Sequence, residues 1–263
     1  MRVVILDNPA QVAERAAEII SSVVRSRPDC VLGLATGGTP LATYNALIAR
    51  HRRGELSFAR VTSFNLDEYV GLPVEHPQSY RSFMRTNLFE HIDIDPVRCH
   101  VPSGFASDYA AYGREYESMI AATGGIDLQL LGIGSDGHIA FNEPGSSLAS
   151  RTRLKALTAE TRRDNARFFN SESEVPKLAV TMGVGTILEA RSILLLATGS
   201  SKAAAVHAFI EGPVTSQITA SALQLHPQVT VLLDREAASS LERADYYREV
   251  EAVQRELEMN PSR

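Results

Sequence analysis

The sequence predicts an α/β fold: a single-domain, open, mostly parallel sheet with helices on both faces, Rossmann-like and doubly wound. Three observations carry that reading. Short runs rich in Val, Ile and Leu alternate with segments of helical periodicity; the Gly-rich and acidic stretches follow those runs; and no repeat, low-complexity tract or linker-like segment divides residues 1–263. A chain of 263 residues can bury a full core without disulfide or metal staples.

Val3 to Leu6 reads as the first strand, and Asn8-Pro9 supplies an N-cap followed by proline at the first helical position. Val12, Ala16, Ile19 and Val23 then repeat at helical spacing and end before Pro28. Val31 to Leu34 is the next strand and runs into Ala35-Thr36-Gly37-Gly38-Thr39-Pro40, with a helix expected over 41–50. A Gly-Gly turn between strand and helix can aim backbone N–H groups and a positive helix dipole at an anion, although an ordinary turn fits the same pattern. Val61 to Asn65 alternates as a strand and delivers Leu66 to Pro73, with the adjacent acids Asp67 and Glu68, to a loop at its end. A helix starts near Ser79-Tyr80, with Phe83 and Leu88 packing, and another spans 107–122.

Ile126 to Leu131 is a buried strand, followed by Gly132-Ile133-Gly134-Ser135-Asp136-Gly137-His138-Ile139-Ala140-Phe141-Asn142-Glu143-Pro144. Glycines at 132, 134 and 137 allow a sharp turn and close approach to a ligand. Pro144 biases Glu143 toward extended backbone. Two carboxylates then flank one imidazole, a group that titrates near neutrality and both takes and gives protons. Arg151, Arg153 and Lys155 alternate, which on an extended chain places three positive charges on one face. Residues 158–169 read as helix, Leu178 to Met182 as strand, and Ile187 starts a helix. Ile193 to Ala197 is a buried strand, and Thr198-Gly199-Ser200-Ser201-Lys202 opens the helix after it, where a lysine calls for a compensating anion. Val229 to Leu233 is the last strand. Tyr246, Val250, Val253 and Leu257 form an apolar stripe on a C-terminal helix, expected to dock on the body or on a neighbouring subunit, and Asn260 to Arg263 should fray.

Composition narrows the functions. A net charge of -5 and a pI near 5.8 disfavour nucleic acid, which needs a basic face. No run approaches the roughly 18 apolar residues of a membrane span, and the amino-terminal apolar run is too short for a signal peptide. A cytoplasmic protein is expected. Cys30 and Cys99 lack metal-type spacing and read as packing residues, and His51, His91 and His100 are isolated. The suspicious loops at 35–40, 66–73, 132–144 and 198–202 all follow strands, so they should converge on one crevice beyond the strands' carboxyl ends.

The strings TGGTP, FNLDEYVGLP, GSDGHIAFNEP, SLASRTR, VTMGVGTIL and LQLHP span nearly the whole chain, which resembles the glucosamine-6-phosphate deaminases. The resemblance implies conversion of glucosamine 6-phosphate and water to fructose 6-phosphate and ammonia, in amino-sugar catabolism. It makes Asp67 the enolisation base, His138 the ring-opening acid/base, and Asp136 and Glu143 the assisting carboxylates. It assigns the phosphate to Thr36, Gly37, Gly38, Thr39, Arg167 and Lys202, and implies neither metal nor organic cofactor. Asp67, Asp136 or Glu143 could hold the substrate ammonium. Some members are allosteric hexamers, which makes N-acetylglucosamine 6-phosphate an expected effector at Ser146, Ser147, Arg153 and Lys155, with Tyr246 supplied by a neighbouring subunit of a homo-oligomer. The alternative for that cluster is pairing with acids such as Glu160 or Glu189.

Two rival functions share the pattern. A 6-phosphogluconolactonase would need a base for water but no C2 proton carrier, which leaves Asp67 unexplained. A non-catalytic sugar-phosphate sensor would leave a full acid/base set idle, and no DNA-binding segment precedes the first strand.

Overall fold

The computed structural model describes residues 1–259; the expected fraying of Asn260 to Arg263 lies outside them. Strand β1 (Arg2–Leu6) leads to α1 (Pro9–Ser26), where the Asn8 side chain accepts from the Gln11 amide and Pro9 occupies the first turn. Val12, Ala16, Ile20 and Val24 line its buried face, with Ile19 and Val23 at the margin. Next come β2 (Val31–Leu34), α2 (Leu41–Arg52), β3 (Thr62–Asn65), β4 (Asp67–Tyr69), α3 (Tyr80–Asn87), β5 (Cys99–His100), α4 (Tyr109–Ala122) and β6 (Leu128–Leu131). The chain continues through β7 (Arg153–Ala156), α5 (Ala159–Ala166), β8 (Leu178–Thr181), α6 (Val184–Leu188), β9 (Ser192–Ala197), α7 (Ala203–Ile210), β10 (Val229–Asp234) and α8 (Ala244–Met259).

Seven strands form a sheet in the order β1-β10-β9-β6-β2-β3-β5, with every neighbouring pair parallel. Its central strands are buried on both faces and carry continuous apolar runs such as Ile193 to Leu196. Chain order reverses between β2 and β6: β2 feeds β3 and β5 on one side, while β6 is followed by β9 and β10 on the other. At such a switch point the loops leaving the strands' carboxyl ends part and open a crevice.

The expected mostly parallel sheet is therefore present, but the chain also builds a second sheet. β4, β8 and β7 pair antiparallel in the order β4-β8-β7, so the strand over 178–181 belongs here and not to the main sheet. Asp67 and Glu68, expected on a loop, are strand residues paired with Thr181 and Val180. Tyr69, Leu72, Phe141, Leu157, Val175 and Ala179 make a small core of their own beneath this sheet.

The apolar stripe of the C-terminal helix does not dock on the body of its own chain. Its stripe of Tyr246, Val250, Val253 and Leu257 faces outward, each residue about half exposed. Glu251 is the buried residue, paired with Arg2 at 2.7 Å and Arg255 at 2.7 Å. Tyr247 packs beside it against the core. Periodicity marked the apolar face, but the ion pair between Glu251 and Arg2 of β1 chose the one docked on the body.

Candidate functional site

Four consecutive strands of the main sheet, β9, β6, β2 and β3, end in the four loops singled out in the sequence. Three strand spacings of about 4.8 Å each place the outer two about 14 Å apart.

The loop after β6 carries the densest chemistry. The Gly134 amide donates to the His138 carbonyl at 2.8 Å, and the Gly137 amide to the Gly134 carbonyl at 3.1 Å. This tight turn folds the imidazole back over Gly134, where an added Cβ would lie 2.4 Å from the ring. Of the three glycines expected to relieve the backbone, only Gly137 takes a positive φ, at 85°. The other positive φ in the stretch between His138 and Glu143 belongs to Ala140, at 50°, a strained placement that packing must hold.

His138 Nδ1 and Asp136 Oδ1 are 2.6 Å apart, and the same oxygen accepts from the His138 amide at 3.1 Å. With Nδ1–H donating to Asp136, Nε2 carries the lone pair. Burial pushes the Asp136 carboxyl up, but the hydrogen bond and charge of His138 outweigh it and hold the group below its ordinary value. Glu143 is buried, and its two oxygens accept from the Thr158 amide at 3.0 Å and the Thr158 hydroxyl at 3.1 Å. One ligand-type atom from each of Asp136, His138 and Glu143 falls within 4.8 Å of the others, so the structure brings the sequence-predicted trio together.

One imidazole and two carboxylates could also hold a cation. The 2.6 Å separation of Nδ1 and Oδ1 argues for a hydrogen bond, because two ligands of one tetrahedral ion lie about 3.3 Å apart.

Asp67 is 6% exposed. Burial, and after it the charge of Glu68, pushes its carboxyl well above the usual range. The phenols of Tyr69 and Tyr80 lie close enough to feel its charge, and Tyr80 stacks on Phe141 with centroids 5.9 Å apart. This aromatic wall excludes water from the carboxylate.

After β2, Gly37 takes φ 98° and α2 starts with no side-chain cap, so its first amides have no side-chain partner. Lys202 sits in a short turn before α7, half-buried and in no ion pair among the described residues. Burial lowers its pKa; Asp164 and Asp136 oppose that, and Arg167 reinforces it. Lys202, Arg167 and the Asp136 loop are thus neighbours. Arg167 is exposed at the end of α5 with its guanidinium 4.8 Å over the Phe168 ring. The backbone beside Lys202 is less available than the sequence suggested, since the Gly199 amide already donates to Asp234 at 3.1 Å.

The expected effector cluster is only partly assembled. Arg151, outside that set, pairs with Glu117 and Glu189. Arg153 is half-buried, makes no ion pair among the described residues, and donates to Asn142 Oδ1 at 3.0 Å, next to Glu143. Burial lowers its pKa. Lys155 is likewise half-buried on the same strand. The Ser146 hydroxyl is buried without a hydrogen-bond partner, whereas Ser147 is exposed. Tyr246 lies at the opposite end of the sheet, in a groove with Met1, Arg2, Ser192 and Gln228, so one chain does not bring it to the others.

Sequence reasoning missed Thr158 as the clamp on Glu143 and Glu68 as a helix anchor. A threonine that caps α5 was the only available signal for the first, and nothing local marks its partner.

A parallel α/β sheet with an Asp–His–Glu cluster, a desolvated carboxylate and two cations without ion pairs among the described residues, all beyond its central strands, defines an enzyme acting by acid/base chemistry on a small anion. The family model for glucosamine-6-phosphate isomerases/6-phosphogluconolactonase matches residues 7–232, and the chain belongs to that family. The glucosamine-6-phosphate deaminase of Hahella chejuensis is 56% identical over 252 residues, 96% of each chain. That of an Arthrobacter species is 55% identical over 248 residues, 94% of this chain and 95% of the relative. A monomeric glucosamine-6-phosphate deaminase of known structure superposes with a TM-score of 0.89 at 49% identity, covering 91% of this chain and 100% of the other. A 6-phosphogluconolactonase from Trypanosoma brucei, at 24% identity, TM-score 0.72 and coverage of 91% and 98%, shares the fold.

Proposed function

We infer that this chain converts glucosamine 6-phosphate and water to fructose 6-phosphate and ammonium. Identity of 52% to 56% to deaminases over nearly the full length supports this reaction over lactone hydrolysis. The observations that support the mechanism are the buried Asp67 and the assembled Asp136–His138–Glu143 cluster. A lactonase has no use for a desolvated carbon-acid base.

The closed pyranose must open first. Nε2 of His138 takes the anomeric hydroxyl proton and returns it to the ring oxygen, while Asp136 holds the tautomer and stabilises the transient imidazolium. Glu143, fixed by Thr158, assists from the other side. In the open aldehyde the C2 hydrogen is acidic. Asp67 removes it as the electrons move to the carbonyl, whose oxygen takes a proton from the substrate ammonium to give the enolamine. Asp67 then returns its proton to C1, which leaves a C2 iminium, and water adds there and ammonia departs to leave the ketone. An isolated aspartate, with a pKa of about 3.9, is a weak base, and burial strengthens it. Arg167, Lys202 and the loop Thr36, Gly37, Gly38 and Thr39 hold the phosphate by charge and by free amides.

The overall change is an isomerisation with deamination in which water is a reactant. No helix of the described residues is long and apolar enough to cross a membrane, and we place the enzyme in the cytoplasm with its free cysteines Cys30 and Cys99. An effector such as N-acetylglucosamine 6-phosphate would find the unpaired Arg153, Lys155 and the orphan hydroxyl of Ser146, and the Arg153–Asn142 bond would carry its effect to Glu143. Participation of Tyr246 requires a homo-oligomer such as a hexamer.

The test is incubation with glucosamine 6-phosphate, reading ammonia and fructose 6-phosphate together. Equal yields are expected. Hydrolysis of 6-phosphogluconolactone without ammonia release from the amino sugar would overturn the assignment.

A further inference from the structure

The strand that carries Asp67 holds a second buried acid, which the mechanism leaves unused. Glu68 is 3% exposed, and because side chains alternate along a strand it faces away from Asp67. Its Oε1 accepts from the amides of Tyr69 at 2.8 Å and Tyr80 at 2.9 Å. Its Oε2 accepts from the Ser79 hydroxyl at 2.9 Å and the Arg81 amide at 3.0 Å. An ionised carboxylate has about four acceptor sites and no proton to give, so these donors saturate it. A protonated Glu68 would set an O–H against one of them. The Tyr80 and Arg81 amides belong to the first turn of α3, where no intrahelical carbonyl is available, and Ser79 is the N-cap. Glu68 therefore anchors α3 from a different element.

That anchor bears on Asp67 in two ways. α3 presents Tyr80, which packs with Phe141 and Tyr69 as the wall over the site. A saturated carboxylate also leaves a negative charge one residue from Asp67. We propose that Glu68 is a positioning residue for Asp67, clamping α3 onto β4 and holding a fixed negative charge beside the carboxylate that carries the C2 proton. This rests on Asp67 being that proton carrier.

The other groups facing Asp67 leave this charge uncancelled. Tyr69 on β4, Tyr80 on α3 and Tyr116 on α4 are phenols that burial pushes upward, so they stay neutral through the assay range. Arg81 keeps its charge but directs its guanidinium to the Val101 carbonyl at 3.1 Å and acts on Tyr116, whereas burial and Glu68 are what act on the Asp67 carboxyl. Arg153 lies two strands away in the small sheet. Glu68 cannot substitute for Asp67, because it is saturated and turned away.

The experiment compares the acid limb of the kcat/KM profile for glucosamine 6-phosphate in wild type and Glu68→Gln. Removing a like charge at this range moves the limb to lower pH by about one to two units. Ser79→Ala takes away one donor but leaves the charge, so its melting temperature falls while the limb stays. Glu68→Asp also keeps the charge and withdraws it from the α3 amides; its turnover falls and its limb stays. Should Glu68→Gln fail to fold, Glu68→Asp decides: a limb displaced as far as loss of a charge would move it overturns the proposal, and an unmoved limb with reduced turnover supports it. Asp67→Asn separates the two levels. If it retains solvent exchange at C2, the reading beneath the proposal falls. If exchange is lost while the Glu68→Gln limb stays at the wild-type position, only the inference about Glu68 falls.

Discussion

Replacing Lys202 by alanine is expected to weaken binding of the phosphorylated sugar without weakening the fold. Its ammonium is half-buried, joins no ion pair among the described residues, and has its pKa lowered by burial. A phosphate dianion would supply the missing counter-charge. Charge-assisted hydrogen bonds contribute about 1.5 to 3 kcal/mol, which at about 1.4 kcal/mol per decade is about ten- to a hundred-fold in kcat/KM. Coulomb attraction at about 4 Å and an effective dielectric near 20 is about 4 kcal/mol per unit of phosphate charge, so the hydrogen-bond figure lies within it. Unphosphorylated glucosamine has nothing to lose, so the variant's preference for the phosphate falls by the whole factor.

Stability moves the other way. A lysine whose folded pKa is lowered carries a cost in the native state at neutral pH, relieved only as pH rises through the folded pKa toward the unfolded value. Deleting the ammonium removes that cost and forfeits only the packing of its methylene stem. Initial rates of ammonia release over a substrate series measure the first effect. Thermal unfolding with and without inorganic phosphate measures the second: phosphate should stabilise the wild type and protect Lys202→Ala far less. A variant with undiminished preference for the phosphorylated sugar would refute the reasoning, as would a variant equally protected by phosphate.

Asp67→Asn is expected to abolish C2 exchange and turnover while leaving substrate binding nearly intact, seen as a loss in kcat. Because burial first, and Glu68 next, raise the folded pKa of Asp67, ionising it costs stability that grows as pH rises above about 3.9 and levels off past the folded value. Urea denaturation should therefore find the variant more stable than wild type at pH 7 and equal to it near pH 3. His138→Gln should impair the pyranose substrate more than an acyclic analogue, as measured by the ratio of their kcat/KM values; equal losses would move His138 to the enolisation step. If the effector reading holds, N-acetylglucosamine 6-phosphate lowers the half-saturation point and Arg153→Ala abolishes the shift, whereas hyperbolic, effector-insensitive curves from both would remove it.

Where one stretch of chain contains both the cause and the effect, the sequence alone was sufficient. Apolar runs of four to six residues became β2, β6, β9 and β10 because burial on both faces of a parallel sheet requires it. Asn8-Pro9 started α1 through a bond three residues long. Asp136 and His138 meet because a Gly-rich turn has little room to keep them apart, and Gly134 leaves space for the ring.

Tertiary structure decided whatever depends on partners far along the chain. β4 has only three residues and no pattern of its own; it is a strand because residues 179–181 pair with it. Glu68 reads as surface charge until α3 folds back onto it, and Glu143 has no visible clamp until Thr158 caps α5 beside it. Sequence periodicity marked the apolar stripe of α8 but not the face that meets the body of its own chain. Within one chain its apolar stripe stays about half exposed, while Glu251 turns inward because Arg2, at the far end of the chain, and Arg255 neutralise it. Burial of a charge depends on whether an opposite charge meets it there, and hydrophobic spacing along one helix carries no record of which residue will arrive from β1.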